Sequence, residues 1–371
     1  IWYLWQALPI ISGYGAKTLC SCTFLSNRDP QDVIVNELGS GMLALGSYKV
    51  HFTDSSATGH VFGLAAKKAV YRKGLGCTLV NGVEESELRD QRFDLARTPS
   101  LPDSTRWPTG DKLSDSIPKV NTTLLQEILD DAFSEPGPEP MRRTRAVLII
   151  YKGEIVAERY ADGYGPDTRL LGWSMTKSLT NAMIGLLVRK EMMDASMPAD
   201  IAEWSDDKRR NITVTHLLHA SSGLQWEENY NGPSPATNML FKEQNAGHYA
   251  ASFPYEADPD TDFEYSSGTT NILSMLIRKA SGTQYHRFAY EELFHKIGMT
   301  SLVIEPDASG TFVGSSFYWA TARDWGRFGL LYLYNGKWNG DQLLPEHWVS
   351  FTTQPAPAAE QGEYGAQFWL N

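Results

Sequence analysis

Residues 171–188 read LGWSMTKSLTNAMIGLLV. From Met175 to Val188 the run is almost entirely apolar or small, which predicts a helix buried on most sides. Ser174 and Lys177 stand at its start, three positions apart, so a helical turn puts both side chains on one face and within reach of each other. A helix N-terminus offers free N–H groups and partial positive charge to a developing oxyanion. Burial disfavours an ammonium, so a desolvated Lys177 loses its proton near neutrality, and a neutral amine beside a hydroxyl is a competent activator. The competing reading has Ser174 capping the helix and Lys177 snorkelling to solvent. Ser-x-x-Lys recurs at Ser116–Lys119 and Ser205–Lys208. Pro118 breaks a helical turn in the first, and the second lies in a charged, solvated run.

Upstream, RAVLIIYKGEIVAER ending at Arg159 places two β-rich runs around Lys152-Gly153, a hairpin between Thr144 and Arg159. Helices are predicted at Thr123–Phe133, Thr215–His219, Thr269–Ala280, Tyr285–Lys296, Ala320–Tyr334 and Pro345–Thr353, with a strand over Tyr364–Leu370. The first hundred residues have a different texture. Tyr48–His51 and His60–Leu64 read as extended runs around a Thr53–Gly59 turn, and Ala69–Val80 as another hairpin. A Pro-rich stretch over 97–119 reads as an extended arm. The expected architecture is α+β: an antiparallel sheet flanked by helices, with an α-helical lobe. Residues 1–120 are expected to form an N-terminal appendage and linker arm, and 121–371 the main domain.

With 371 residues the chain can bury a substantial core, and its 42% hydrophobic and 21% charged residues are those of a soluble globular protein. A net charge of −11, with acids spread along the chain, argues against a nucleic-acid surface, which needs clustered Lys and Arg. The apolar run Ile1–Ile11 is too short to span a bilayer. It reads either as the tail of a signal peptide or anchor helix, or as an ordinary strand or helix. The first reading carries an expectation of export, periplasmic or membrane-anchored and facing outward; the second leaves a cytoplasmic protein. Of the cysteines, Cys77 can pair with Cys20 or with Cys22 in an exported protein, and all three are reduced in a cytoplasmic one. No Cys/His cluster has metal-site spacing.

Leu171 to Ser178 resembles the first motif of the class C β-lactamase-related, penicillin-recognising serine hydrolases. Phe263-Glu264-Tyr265-Ser266-Ser267-Gly268 resembles their second, Tyr-x-Asn or Tyr-x-Ser, and HLLHASSG (216–223), TARDWGRFG (321–329) and LPEHW (344–348) are similar as well. The resemblance runs from about Arg143 to Asn371. It is greater to the branch of 6-aminohexanoate-dimer hydrolase and its esterase relatives than to true cephalosporinases. It implies a β-lactamase/transpeptidase-like fold and a small-molecule ester or amide substrate cleaved through an acyl-enzyme, with no metal or organic cofactor. Ser174 would be acylated and Lys177 would help deprotonate it. Tyr265, its pKa lowered by the nearby cation, would pass a proton to the leaving group and later activate water. Ser267 stands where the family usually has Asn, orienting Lys177 and substrate. The Ser174 N–H would donate to the oxyanion. Trp226 and Tyr230 match a loop that closes over substrate, with Tyr230 positioned to hydrogen-bond an amide leaving group; the alternative is a surface loop packed on the α lobe.

The family's third motif, Lys-Thr-Gly or His-x-Gly, is not found; His60-Val61-Phe62-Gly63 has the wrong spacing and comes too early. The expectation is that further C-terminal strands follow Asn371. The alternative function is a catalytically silent, penicillin-binding-like protein that recognises cell-wall peptides or a related ligand.

Overall fold

The structure is a computed structural model that describes residues 2–100, 104–115, 118–137 and 141–371. Ile1, Pro102 and Ser116, on which readings above fall, lie outside the described residues.

Within the run that ends at Ile11, the described residues belong to a helix, α1 (Trp2–Phe24), which continues well past it. No helix among the described residues is long and apolar enough to cross a membrane. Asp29 caps the next helix, α2 (Pro30–Asn36), by accepting from the Gln31 and Asp32 N–H groups, with proline at the first helical position. An antiparallel meander follows: β1 (Gly46–His51), β2 (Ser56–Val61), β3 (Leu64–Arg72) and β4 (Gly76–Leu79), in sheet order β1-β2-β3-β4. The expected Thr53–Gly59 turn is shorter. Thr58 and Gly59 lie in β2, opposite Lys49 and Tyr48, because Ser55 takes a left-handed φ of 51° and reverses the chain early. α1 lies against this sheet. At Gly15 a Cβ would stand 1.9 Å from the Tyr48 ring, so only glycine allows the approach. A Cys20–Cys77 disulfide joins α1 to β4 and leaves Cys22 a buried thiol.

After α3 (Glu85–Asp90), the Pro-rich arm is held at residues 107–111. Buried Arg327 donates to the carbonyls of Pro108 and Gly110 and to Asp111, with its guanidinium 4.6 Å from the Trp107 ring. Then come α4 (Thr122–Phe133), capped by Asn121, and the hairpin β5 (Ala146–Tyr151) and β6 (Glu154–Tyr160). Its turn at Lys152-Gly153 has positive φ at both residues. The remainder is β7 (Leu170–Leu171), α5 (Thr176–Arg189), α6 (Val214–Leu218), α7 (Pro235–Phe241), α8 (Ala246–Ala251), α9 (Ser267–Ser281) and α10 (Tyr285–Ala289), which runs on as a π turn. These are followed by β8 (Val303–Ile304), β9 (Tyr318–Ala320), α11 (Ala322–Leu333), the ribbon β10 (Lys337–Trp338) and β11 (Asp341–Gln342), and α12 (Trp348–Thr352). The architecture is mixed α/β and the named strand pairs are antiparallel, but the strands are divided among several sheets, including β7-β9-β8.

The strand expected at Tyr364–Leu370 is instead a reversing turn. Leu370 N–H bonds back to Glu363 O, Gly365 N–H to Phe368 O, and Gln367 has φ +63°. The physical cause is the buried amide of Gln367, which donates to Leu218 O and accepts from Thr270 Oγ1.

One hydrophobic core takes in Leu19 of α1, Ala69 and Leu79 of the meander, Leu179 and Ile184 of α5, Ile272 of α9 and Leu331 of α11. A buried polar cluster crosses it. The Glu305 carboxylate pairs with Lys17 and accepts from Ser21 Oγ (2.7 Å), Cys77 N–H (2.6 Å) and Trp319 Nε1 (2.8 Å). Residues 2–79 are thus fastened to the rest by a fully donated carboxylate as well as by apolar contact.

Candidate active site

Gly172 has no room for a Cβ, which would stand 2.5 Å from the Trp325 ring. Trp173 follows with φ +42°, a left-handed conformation that costs a bulky residue on the order of 1–3 kcal/mol. Past this bend a short 3₁₀ turn, Trp173–Met175, leads into α5. Ser174 is exposed there while Lys177, one turn on, is 2% exposed.

Lys177 Nζ lies 3.3 Å from Ser174 Oγ, 2.9 Å from Ser267 Oγ and 3.3 Å from Ser315 O. Burial lowers its pKa to about 8, against a smaller opposing pull from Glu228. A neutral amine has two N–H groups and one lone pair. Ser267 and the Ser315 carbonyl take the former, which leaves the lone pair for the Ser174 hydroxyl. Tyr265 interacts with Ser174, and Lys177 Nζ sits 4.9 Å from its ring centre. The phenol pKa is raised rather than lowered, correcting the expectation from sequence. Desolvation outweighs the lowering effect of Ser174, and Glu228 adds to the upward shift. Trp369 of the C-terminal turn packs on Tyr265 at 5.0 Å.

The structure thus brings Ser174, Lys177, Tyr265 and Ser267 together and adds Glu228, which sequence reasoning passed over. Glu228 accepts from the Ser267 N–H (2.9 Å) and hydroxyl (2.5 Å), from Trp226 Nε1 (2.7 Å) and from the Tyr230 hydroxyl (2.5 Å). The N–H is the free donor of the first residue of α9, where a carboxylate is favoured. Tyr230 also reaches Ser267 Oγ at 3.0 Å. Trp226 packs over Gly268 and does not line the cavity at Ser174, whereas Tyr230 does. The only signal for Glu228 in the sequence is its place between those two aromatics. Exposed Ser205 and Lys208 lie at a surface turn. No cluster of His, Cys, Asp and Glu placed to hold a metal ion occurs among the described residues.

A cavity of about 560 Å³ opens on Ser174, lined by Trp173, Tyr230, Phe241 and residues of α1. Residues 129–371 match the β-lactamase family. The chain belongs to the β-lactamase family. Within that family it is 24% identical over 252 residues to the 6-aminohexanoate-dimer hydrolase of Paenarthrobacter ureafaciens, an alignment covering 61% of this chain and 64% of that protein. The chain therefore spans just under two thirds of that curated relative's length. A solved Bacillus anthracis protein, provisionally assigned as a 6-aminohexanoate-dimer hydrolase, superposes with a TM-score of 0.52 at 24% identity, over 75% of this chain and 73% of its own. One from Bacteroides dorei DSM 17855, provisionally assigned as a β-lactamase, gives 0.52 at 17% identity over 67% and 77%. The β-lactamase/transpeptidase-like fold follows from these likenesses.

Proposed function

We propose that this β-lactamase-family chain is a serine hydrolase that cleaves an ester or amide through an acyl-enzyme on Ser174. The observation that carries this reading is the buried Lys177 amine, 3.3 Å from Ser174 Oγ and in contact with Ser267 Oγ and Ser315 O, its pKa lowered to about 8 by burial. Lys177 takes the hydroxyl proton as Oγ bonds to the substrate carbonyl carbon. The oxyanion that forms accepts from the Ser174 N–H, a donor at the mouth of α5. Collapse breaks the bond to the leaving group, which takes a proton from Tyr265, and Lys177 returns a proton to Tyr265. Water then attacks the acyl-enzyme along the reverse proton route and releases the acid and Ser174. The raised pKa of Tyr265 suits a donor that is protonated at rest. Ser267 orients Lys177, and Tyr230, which lines the cavity at Ser174, contacts the substrate there. Trp226 acts one step back, by holding Glu228.

The name of the Paenarthrobacter relative supports an amide among the substrates, and the family name a β-lactam. A panel of p-nitrophenyl esters, nitrocefin and 6-aminohexanoate dimer separates these. The expected result is measurable ester cleavage, little nitrocefin turnover, and loss of both in Ser174→Ala. Ester cleavage that survives Ser174→Ala would overturn the reading.

A further inference from the structure

The cavity at Ser174 is walled on one side by residues outside the stretch that matches the family: Ile10, Ile11 and Tyr14 of α1, and the turn Ser40–Leu43. Among the described residues, no Asp, Glu, Lys, Arg or His lines it. Tyr14 is neutral as well, because burial, with Glu37 adding, pushes its pKa up to about 12. A charged group entering such a space loses its hydration and meets no counter-charge, whereas an alkyl group gains by leaving water. The cavity is also one-sided. Ser174 lines it and Tyr265, the proton donor to the leaving group in the reading above, does not. The leaving group therefore departs outside it and the acyl group lies within.

We propose that α1 and the Ser40–Leu43 turn form the acyl subsite of this enzyme, and that the subsite takes an uncharged, extended aliphatic acyl chain. The inference rests on the acyl-enzyme reading and adds to it a substrate class and a role for the N-terminal residues. At about 560 Å³ the space is within the range of small-ligand sites.

The test is kcat/KM on p-nitrophenyl acetate, butanoate, hexanoate and octanoate, together with p-nitrophenyl 6-aminohexanoate, whose acyl chain is hexanoate with a terminal ammonium. From butanoate to octanoate the constant should rise on the order of tenfold or more, and hexanoate should exceed its ammonium counterpart by about tenfold. Met42→Asp puts a charge in the wall at a half-exposed position. It should lower the octanoate-to-acetate ratio about tenfold. Partial unfolding lowers both rates together and leaves that ratio unchanged. A flat or falling chain-length series, preference for the ammonium ester, or an unchanged ratio in Met42→Asp overturns the subsite. Acetate turnover that depends on Ser174 meanwhile keeps the acyl-enzyme reading standing, and absence of Ser174-dependent turnover on every ester takes both down.

Discussion

The amine of Lys177 has room for two donated hydrogen bonds and one accepted one, and the three oxygens around it match that count. With the pKa held near 8 by burial, the fraction of neutral amine rises with pH, so kcat/KM should rise through about pH 8 and level off above it. Glu228 pulls that pKa upward. Glu228→Gln removes the pull, so the midpoint of the pH–rate profile should move to lower pH as the rate falls. A rate loss with the midpoint unmoved would mean that Glu228 only holds the loop. Ser174, Lys177 and Tyr265 were legible in the sequence because helical spacing and a motif point to them. Glu228 was not, since its partners come from its own loop and from the head of α9, and only folding brings these together. The direction of the Tyr265 shift was misread for a related reason: the nearby cation was visible in the motif, but the extent of burial was not.

Elements held by local pattern, such as α5, the β5–β6 hairpin and capped α4, lie close to where the sequence puts them. Those held by distant side chains do not, as Gln367 shows by turning an expected strand into a reversal. The seating of α1 is of the second kind. Lys17 and Glu305 are 288 positions apart, so no local window reveals the pair. Glu305→Leu leaves the Lys17 charge buried without a counter-charge and should cost about 3–5 kcal/mol. In Lys17→Met/Glu305→Leu the charge is gone, and the double variant should recover most of that loss in a denaturant titration. A double variant at least as unstable as the sum of the two single ones would contradict this account of the cluster.

Across the whole molecule, the helix-and-meander unit formed by residues 2–79 and the family-matching region share one core, so heating should give a single calorimetric transition; two separated transitions would show that the shared core does not couple them. The disulfide closes a loop between positions 57 apart, and Cys77→Ala should lower stability by about 2–4 kcal/mol. This coupling was not legible in a sequence whose first hundred residues read as separate in texture. The same packing sets α1 beside Ser174, the residue on which the proposed acyl-enzyme depends. The most direct test is fluorophosphonate labelling of the chain at several pH values, followed by peptide mapping. The account predicts one adduct, on Ser174, forming faster as pH rises through about 8 and absent in Lys177→Met. No adduct, or an adduct on another serine at a rate indifferent to Lys177, would contradict it.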